Sequence, residues 1–172
     1  MSSTVVKGFG RGSKLLGIPT ANMDTKEIAH LVNNMATGIY FGYCMLKGEV
    51  YQTVASVGWN PHFDNREKTL EPHLLHTFED DFYGERVHLL LCGYIRREQR
   101  FDSIENLIAA IEGDIEYARM KFREPDIARL ATDHPFWAEV SGDPKAARSP
   151  SSSTNAADAS GSAASTAPGH NA

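Results

Sequence analysis

Cysteine, long apolar runs and a leader segment are what this 172-residue sequence has least of. Its two cysteines, Cys44 and Cys92, both lie in apolar β-like runs, which favours buried thiols in a reducing compartment over a disulfide. No apolar run reaches the roughly 18 residues that a bilayer span requires, and the N-terminal residues contain no apolar signal-peptide region. These absences favour a cytoplasmic protein, with a mitochondrial location left open.

An excess of charge of one sign is also missing. The formal net charge is −5, and acidic and basic residues are interspersed along the chain. This balance gives no electrostatic reason to expect a nucleic acid or an anionic membrane as partner. The large apolar residues lie almost entirely before Val140, so residues 1–140 are predicted to form one domain. Residues 141–172, rich in Ser, Ala, Gly and Pro, are predicted to be a disordered tail.

Short β-like runs dominate the predicted domain. The predicted strands cover residues 4–7, 38–46, 50–59, 69–78 and 86–95, with turns at 47–49 and 80–84. Because short turns join successive strands, we expect them to pair antiparallel. With five or more short strands, a closed or nearly closed barrel removes the exposed edges.

One long amphipathic helix is predicted over residues 103–122. Its apolar positions recur at helical spacing and comprise Ile104, Leu107, Ile108, Ile111, Ile115, Ala118 and Phe122. Asp102 and Glu105 have the spacing of a capping box, and Pro125 follows the end. A weaker helical pattern covers residues 125–130. The long helix should lay its apolar face on the barrel.

The glycine-rich run GFGRGSKLLGIPTAN, residues 8–22, is the most informative stretch. Glycines at 8, 10 and 12 allow a tight turn that presents N–H groups to an anion, and Lys14 adds a positive charge. The Walker spacing is missing, and Gly17 and Pro19 prevent the long helix that follows a dinucleotide-binding turn. From the glycines alone, a plain loop and a phosphate cradle are both open.

Thr20 and Asn22 follow Pro19 in an extended segment, where residues two apart point to the same side. A hydroxyl and an amide carbonyl are hard oxygens suited to Mg²⁺ beside ATP phosphates. The alternative is that both side chains hydrogen-bond a turn, a common role for these residue types.

The whole run, in the form GxGRGSKxLGIPTAN, resembles the ATP- and metal-binding signature of riboflavin kinases. The resemblance continues through residues 54–61, 71–84, 93–96 and 101–114, and it covers about residues 4–124. It implies a mainly β fold: a six-stranded antiparallel Greek-key barrel with one long C-terminal helix packed outside. It also implies transfer of the γ-phosphate of ATP to the 5′-hydroxyl of riboflavin, giving FMN and ADP, with Mg²⁺ or, in some members, Zn²⁺.

By position, the resemblance implies a role for each of several residues. Thr20 and Asn22 match metal and phosphate ligands, and Glu71 matches the catalytic base. The nucleotide contacts match Gly8, Lys14, Leu74, His76 and Tyr83, and the flavin contacts match Arg96, Gln99 and Phe101.

Two of these residues have plainer alternatives. A glutamate opening a strand is usually a solvated surface charge, and Phe101 has the position of an apolar contact at the helix start. Pro72 and Arg97 depart from the family pattern, and a proline at 72 should remove one hydrogen bond of its strand.

His73 and His76 are three residues apart, which on a strand places them on opposite faces, so no histidine-based zinc site is predicted.

Three other functions are alternatives to the kinase: a non-catalytic flavin- or nucleotide-binding barrel, a small nucleic-acid-binding barrel, and a piece of a larger bifunctional flavin enzyme. The acidic balance counts against the second, and the tail favours a monofunctional chain over the third. We expect a monomer whose partners are riboflavin, FMN, ATP and ADP, with no nucleic acid and no membrane.

Overall fold

The computed structural model describes residues 1–8, 18–59 and 67–142, where six antiparallel strands form one sheet. The strands are β1 (Ser2–Val6), β2 (Asn22–Met23), β3 (Gly38–Leu46), β4 (Glu49–Trp59), β5 (Lys68–Leu74) and β6 (Arg86–Arg96). Their order in the sheet is β2-β1-β6-β3-β4-β5. The first strand therefore pairs with the last one, so the chain crosses over as it does in Greek-key folds.

The two ends of the sheet meet, which closes it into a barrel. The backbone N–H of Ala21, next to β2, donates a hydrogen bond to the carbonyl of Pro72 in β5 at 2.8 Å. Closure leaves neither strand as a free edge, as the sequence predicted from the number of short strands. The predicted mainly β, six-stranded antiparallel barrel with a C-terminal helical segment is confirmed.

Helices cover one end and one side of the barrel. They are α1 (Thr25–Val32), α2 (Ile104–Phe122), α3 (Pro125–Ala128), α4 (Leu130–Asp133) and α5 (Pro135–Ser141). Within the described residues, none of them is long and apolar enough to cross a membrane. The predicted long helix is confirmed as α2, whereas α1 and α5 were not predicted.

Strand β3 is buried on both faces because two apolar clusters meet on it. Cys44 and Leu46 point into the barrel interior, whereas Tyr43 and Met45 belong to a second cluster on the outer face. Ala118 and Phe122 of α2 and Trp137 of α5 complete that outer cluster. The aromatic run of β3 is therefore the surface on which the C-terminal helices pack.

Local chemistry accounts for the turn between β3 and β4. Lys47 and Gly48 have φ angles of 52° and 87°, the left-handed pair that a two-residue hairpin turn requires.

The predicted cap of the long helix was wrong. Ser103 caps α2, accepting a hydrogen bond from the N–H of Asn106 at 3.1 Å, so the capping pair is not Asp102 and Glu105.

Two further boundaries differ from the prediction. The strand predicted over residues 69–78 ends at Leu74, and the helical pattern over 125–130 is divided between α3 and α4. Most of the predicted tail lies outside the described residues, so its disorder stays a prediction.

Both cysteines are free thiols, as predicted. Burial raises the pKa of the Cys44 thiol to about 12 and that of the Cys92 thiol to about 11. Near neutral pH both are therefore protonated and unreactive, and neither belongs to the site described next.

Candidate active site

A mainly apolar cavity of about 240 Å³ lies outside the barrel, between β4, β5, α2 and the chain that follows β6. Its apolar lining comprises Ile18, Ile39, Val54, Phe101, Leu107 and Ile111. Its polar lining comprises Thr20, Ser56, Glu71, His73, Arg96, Glu98, Gln99 and Asp114. A cavity that combines apolar walls with polar side chains suits a flat ligand that has a polar edge.

Glu71 reaches this cavity because side chains alternate along β5. Leu70 and Leu74 are buried in the barrel interior, so Glu71 and His73 point outwards. The hydroxyl of Thr20 donates a hydrogen bond to Oε2 of Glu71 at 3.4 Å. The fold thus joins a predicted metal ligand to the predicted base, across 51 positions of the chain.

His73 holds the Thr20 segment in place. Its Nδ1 lies 2.7 Å from the carbonyl oxygen of Pro19. A carbonyl only accepts, so Nδ1 carries the proton of this hydrogen bond. Together with the bond from Ala21 to Pro72, this contact attaches the backbone on both sides of Thr20 to β5.

Pro72 removes no hydrogen bond between β5 and β4. The N–H of Leu75 donates to the carbonyl of Gln52 in β4 at 2.8 Å. Because N–H groups alternate sides along a strand, the nitrogens of His73 and Glu71 also face β4, and that of Pro72 faces the seam with β2. The sequence predicted that Pro72 would remove one hydrogen bond because proline has no backbone N–H. That missing N–H lies on the side of β5 that faces β2, where the Pro72 carbonyl still accepts from Ala21.

Asn22 lies in β2 with its side-chain amide against the backbone of Gly8. A Cβ at position 8 would collide with this amide, so a larger residue there would require the Asn22 side chain to move. Thr20 offers a hydroxyl beside the carboxylate of Glu71, and Asn22 offers an amide oxygen two residues further along the chain. Hard oxygens of this kind fit Mg²⁺, which takes few protein ligands and keeps the rest for phosphate and water. Within the described residues, no group of three His, Cys, Asp or Glu side chains could hold a metal ion.

Arg96 occupies the opposite wall of the cavity and is held from three directions. Its Nε and Nη2 donate to the two carboxylate oxygens of Asp114 at 2.8 and 2.7 Å. Its Nη1 donates to the carbonyl of Arg97 at 3.0 Å. The guanidinium lies 5.7 Å from the ring centre of Phe101, so the predicted flavin contacts Arg96 and Phe101 form one wall, with Gln99 in the same lining.

Three further nucleotide candidates lie in the described part of the chain and do not line the cavity. Leu74 is buried in the barrel interior, and the ring of His76 packs 4.9 Å from that of Tyr51. Tyr83 is 49% exposed, with the ammonium of Lys7 5.9 Å from its ring centre. Lys14 lies outside the described residues. These assignments stay predictions.

Sequence reasoning missed Asp114, His73, Ser56 and Glu98 in the cavity. A signal for Asp114 existed, because it lies three residues after Ile111 and four before Ala118, inside the apolar stripe of α2. A charged residue in such a stripe needs a partner. No comparable signal identifies Ser56, whose place opposite Glu71 in the β4–β5 register depends on strand pairing.

These features define a class of protein: a small antiparallel barrel with a carboxylate and a hydroxyl at a cavity that has apolar walls, an arrangement that suits a small-molecule kinase. The sequence model of the family described as riboflavin kinase matches residues 1–122. The chain belongs to the riboflavin kinase family.

Three relatives illustrate the similarity. The chain is 47% identical over 133 residues to the riboflavin kinase of Homo sapiens, covering 77% of this chain and 86% of that protein. It is 50% identical over 141 residues to a bifunctional riboflavin kinase/FMN phosphatase of Arabidopsis thaliana, covering 81% of this chain and 35% of that protein. The crystal structure of riboflavin kinase from Trypanosoma brucei superposes with a TM-score of 0.64 at 26% identity, covering 83% of this chain and 88% of that one.

Proposed function

We propose that this chain transfers the γ-phosphate of ATP to the 5′-hydroxyl of riboflavin, giving FMN and ADP. The observation that supports this most directly is the hydrogen bond from Thr20 to Glu71 at the apolar cavity. A non-catalytic flavin-binding barrel has no need of a carboxylate there. Membership of the riboflavin kinase family supports the choice of substrates.

Glu71 acts as the general base in this proposal. As the 5′-oxygen forms its bond to the γ-phosphorus, its proton passes to the Glu71 carboxylate. The bond between the γ-phosphorus and the β–γ bridging oxygen breaks, and ADP leaves with that electron pair. The backbone contacts of Pro19 and Ala21 with β5 keep the Thr20 hydroxyl beside this carboxylate, so little reorganisation is needed before transfer.

Thr20 and Asn22 would hold a divalent metal, Mg²⁺ or alternatively Zn²⁺. When bound, such an ion neutralises charge on the phosphates. The close approach of Gly8 to the Asn22 amide supports this role, because it limits the orientations open to that amide. Gly8, Lys14, Leu74, His76 and Tyr83 are proposed to contact the nucleotide.

Arg96, Gln99 and Phe101 are proposed to contact riboflavin. The apolar lining of the cavity suits the flat ring system, and the polar groups beside it suit the pyrimidine edge and the ribityl chain. The chain is further proposed to act as a monomer in the cytoplasm or in mitochondria. Its interspersed charges give no electrostatic reason for a nucleic-acid or membrane partner, which supports action on small molecules.

A coupled assay tests the reaction and Glu71 together. Purified protein is mixed with riboflavin, ATP and Mg²⁺, and FMN is separated by chromatography. We expect Glu71→Gln to lower kcat by about 10²-fold or more through loss of a positioned base, while riboflavin binding persists. Glu116→Gln, an exposed carboxylate on α2, serves as the control and should match the unmodified protein.

Two results would count against the proposal. If the unmodified protein binds riboflavin and ATP but forms no FMN with any divalent metal, the chain is a binding barrel. If Glu71→Gln forms FMN at the unmodified rate, another group accepts the proton.

A further inference from the structure

Asp114 is a buried charge that the reaction described above does not use. Its residue is 5% exposed, and it lies on α2 between apolar positions of the same helical stripe. An aliphatic side chain would satisfy the helix packing at this position without any desolvation cost. The presence of a carboxylate therefore calls for an explanation beyond the packing of α2 on the barrel.

The partner of Asp114 is Arg96, which is itself a cavity residue. Both carboxylate oxygens accept from the guanidinium, at 2.8 Å from Nε and 2.7 Å from Nη2. Such a two-point contact fixes the plane of the guanidinium as well as its position. A buried ion pair is weak grounds for stability, because its desolvation cost offsets most of the attraction. Orientation is what this pair supplies.

The third nitrogen of Arg96 and its contact with Phe101 show what this orientation achieves. Nη1 donates to the carbonyl of Arg97 at 3.0 Å, at the start of the exposed segment 97–100. The guanidinium lies over the ring of Phe101, at the other end of that segment, 5.7 Å from its centre. Arg96 thus contacts both ends of the segment, and it also lines the cavity.

We infer that Asp114 is a positioning residue for riboflavin, which orients Arg96 so that its guanidinium and Phe101 form one wall of the flavin site. This inference rests on the proposed function, since it takes the cavity as the riboflavin site. Without the Asp114 carboxylate, the guanidinium is expected to turn towards water and the wall to lose its shape. Riboflavin affinity should then fall, whereas ATP affinity should not change.

The test compares Asp114→Asn with the unmodified protein, using quenching of riboflavin fluorescence to measure Kd in the absence of ATP. We expect the Kd for riboflavin to rise on the order of tenfold, as is typical for a coupled, hydrogen-bonded charge pair. The KM for ATP should stay unchanged. Glu124→Gln is the matched control, since it removes the exposed Lys121–Glu124 ion pair, 2.8 Å long, just beyond the end of α2.

A double-mutant cycle separates positioning from direct contact. If Asp114 acts through Arg96, Asp114→Asn combined with Arg96→Gln should weaken riboflavin binding no more than Arg96→Gln alone. Additive effects would show that Asp114 touches riboflavin itself and would overturn the inference. A lower unfolding temperature of Asp114→Asn with an unchanged riboflavin Kd would show that the ion pair only stabilises the fold, and this would also overturn the inference.

Two further measurements keep the result decisive. If Asp114→Asn does not fold, Asp114→Glu retains the charge but displaces the guanidinium, and a riboflavin Kd equal to the unmodified one would overturn the inference. Because binding is measured without ATP, a protein that binds riboflavin but forms no FMN would contradict the proposed reaction and leave the role of Asp114 standing. If the unmodified protein does not bind riboflavin, both the proposed reaction and the role of Asp114 are wrong.

Discussion

The cavity beside α2 and the surface around Gly8 share strand β5 but are built in different ways. The cavity is lined from β4, β5, α2 and the segment after β6, and its two charged walls are already paired, Glu71 with Thr20 and Arg96 with Asp114. The nucleotide candidates are instead dispersed: Leu74 lies in the barrel interior and Tyr83 on an exposed turn. Among the described residues of that group, the N–H of His76 donates to the carbonyl of Leu74 at 2.7 Å, and Gly8 lies against the side chain of Asn22.

We infer from this difference that the riboflavin cavity is preformed, whereas the nucleotide side adjusts to its ligand. A preformed apolar cavity binds its ligand at a low ordering cost, which suits riboflavin with its rigid ring. A nucleotide carries flexible, strongly hydrated phosphates that a metal and a glycine-rich backbone accommodate. We therefore expect variants on the two sides to act on different substrates, and the following predictions test that separation.

The largest effect is expected for Gly8→Ala. A Cβ at position 8 collides with the Asn22 amide, so Asn22 or its strand must shift away from its proposed place at the phosphates. Misplacement by about 1 Å can lower activity by roughly 10²-fold. The measurement is kcat/KM for ATP, with the riboflavin Kd as reference.

Gly113→Ala is the matched control for this variant, because a Cβ there meets no atom within 4 Å. It should keep full activity and stabilise α2 by about 0.5–1 kcal/mol. Equal activities of the two variants would remove the reason for assigning Asn22 to the phosphate site.

A smaller effect on the other substrate is expected for Phe101→Leu. The substitution keeps an apolar side chain but removes the ring beneath the Arg96 guanidinium. Loss of one aromatic contact weakens binding by about 3- to 10-fold, so the riboflavin KM should rise by that factor.

Phe136→Leu removes a ring from the outer cluster, away from the cavity lining, and provides the comparison. It should leave the riboflavin KM unchanged. A change in the KM for ATP in Phe101→Leu, rather than for riboflavin, would break the proposed separation between the two sides.

The smallest effect is expected for Tyr83→Leu, which removes an exposed ring that lies 5.9 Å from the ammonium of Lys7. One contact between an exposed aromatic ring and its partner contributes about 0.5–1 kcal/mol, so loss of the proposed contact of Tyr83 with the nucleotide should raise the KM for ATP only about threefold. Steady-state kinetics at saturating riboflavin measure the KM for ATP of this variant.

Tyr117→Leu supplies a close match, since its ring lies 5.7 Å from the ammonium of Lys121 on α2. That variant should not alter the KM for ATP. If Tyr83→Leu raises the riboflavin KM instead, Tyr83 belongs to the cavity side and the comparison fails.

Periodicity was enough to predict the long elements of the fold. The apolar runs of β3, β4 and β6 and the stripe of α2 each extend over nine or more residues, so the pattern repeats several times. The elements that were missed are short. Strand β2 has two residues, and α1 has eight residues with non-helical angles at Ile28, so in both the pattern is too short to be distinguished from the flanking chain.

Helix α5 shows why local pattern fails near the C-terminus. Its seven residues include Trp137, which is buried between the helices and donates its indole N–H to the carbonyl of Leu130 at 2.7 Å. The carbonyl of Leu130 becomes the partner of this indole only because α4 and α5 fold back on the barrel. The same holds for the cap of α2, where two adjacent residues, Asp102 and Ser103, could both cap and backbone geometry selected Ser103.

Residue types and spacing alone were sufficient to indicate the long strands of the barrel and its outer helix, because each depends on short-range chemistry. The resemblance of the run at residues 8–22 to riboflavin kinases was sufficient to indicate the family. The pairing of Thr20 with Glu71, the tie from His73 to Pro19 and the ion pair of Arg96 with Asp114 arise from the closed sheet and the docking of α2. Such contacts join residues far apart in the chain, and only the assembled barrel brings their strands and helix within bonding distance.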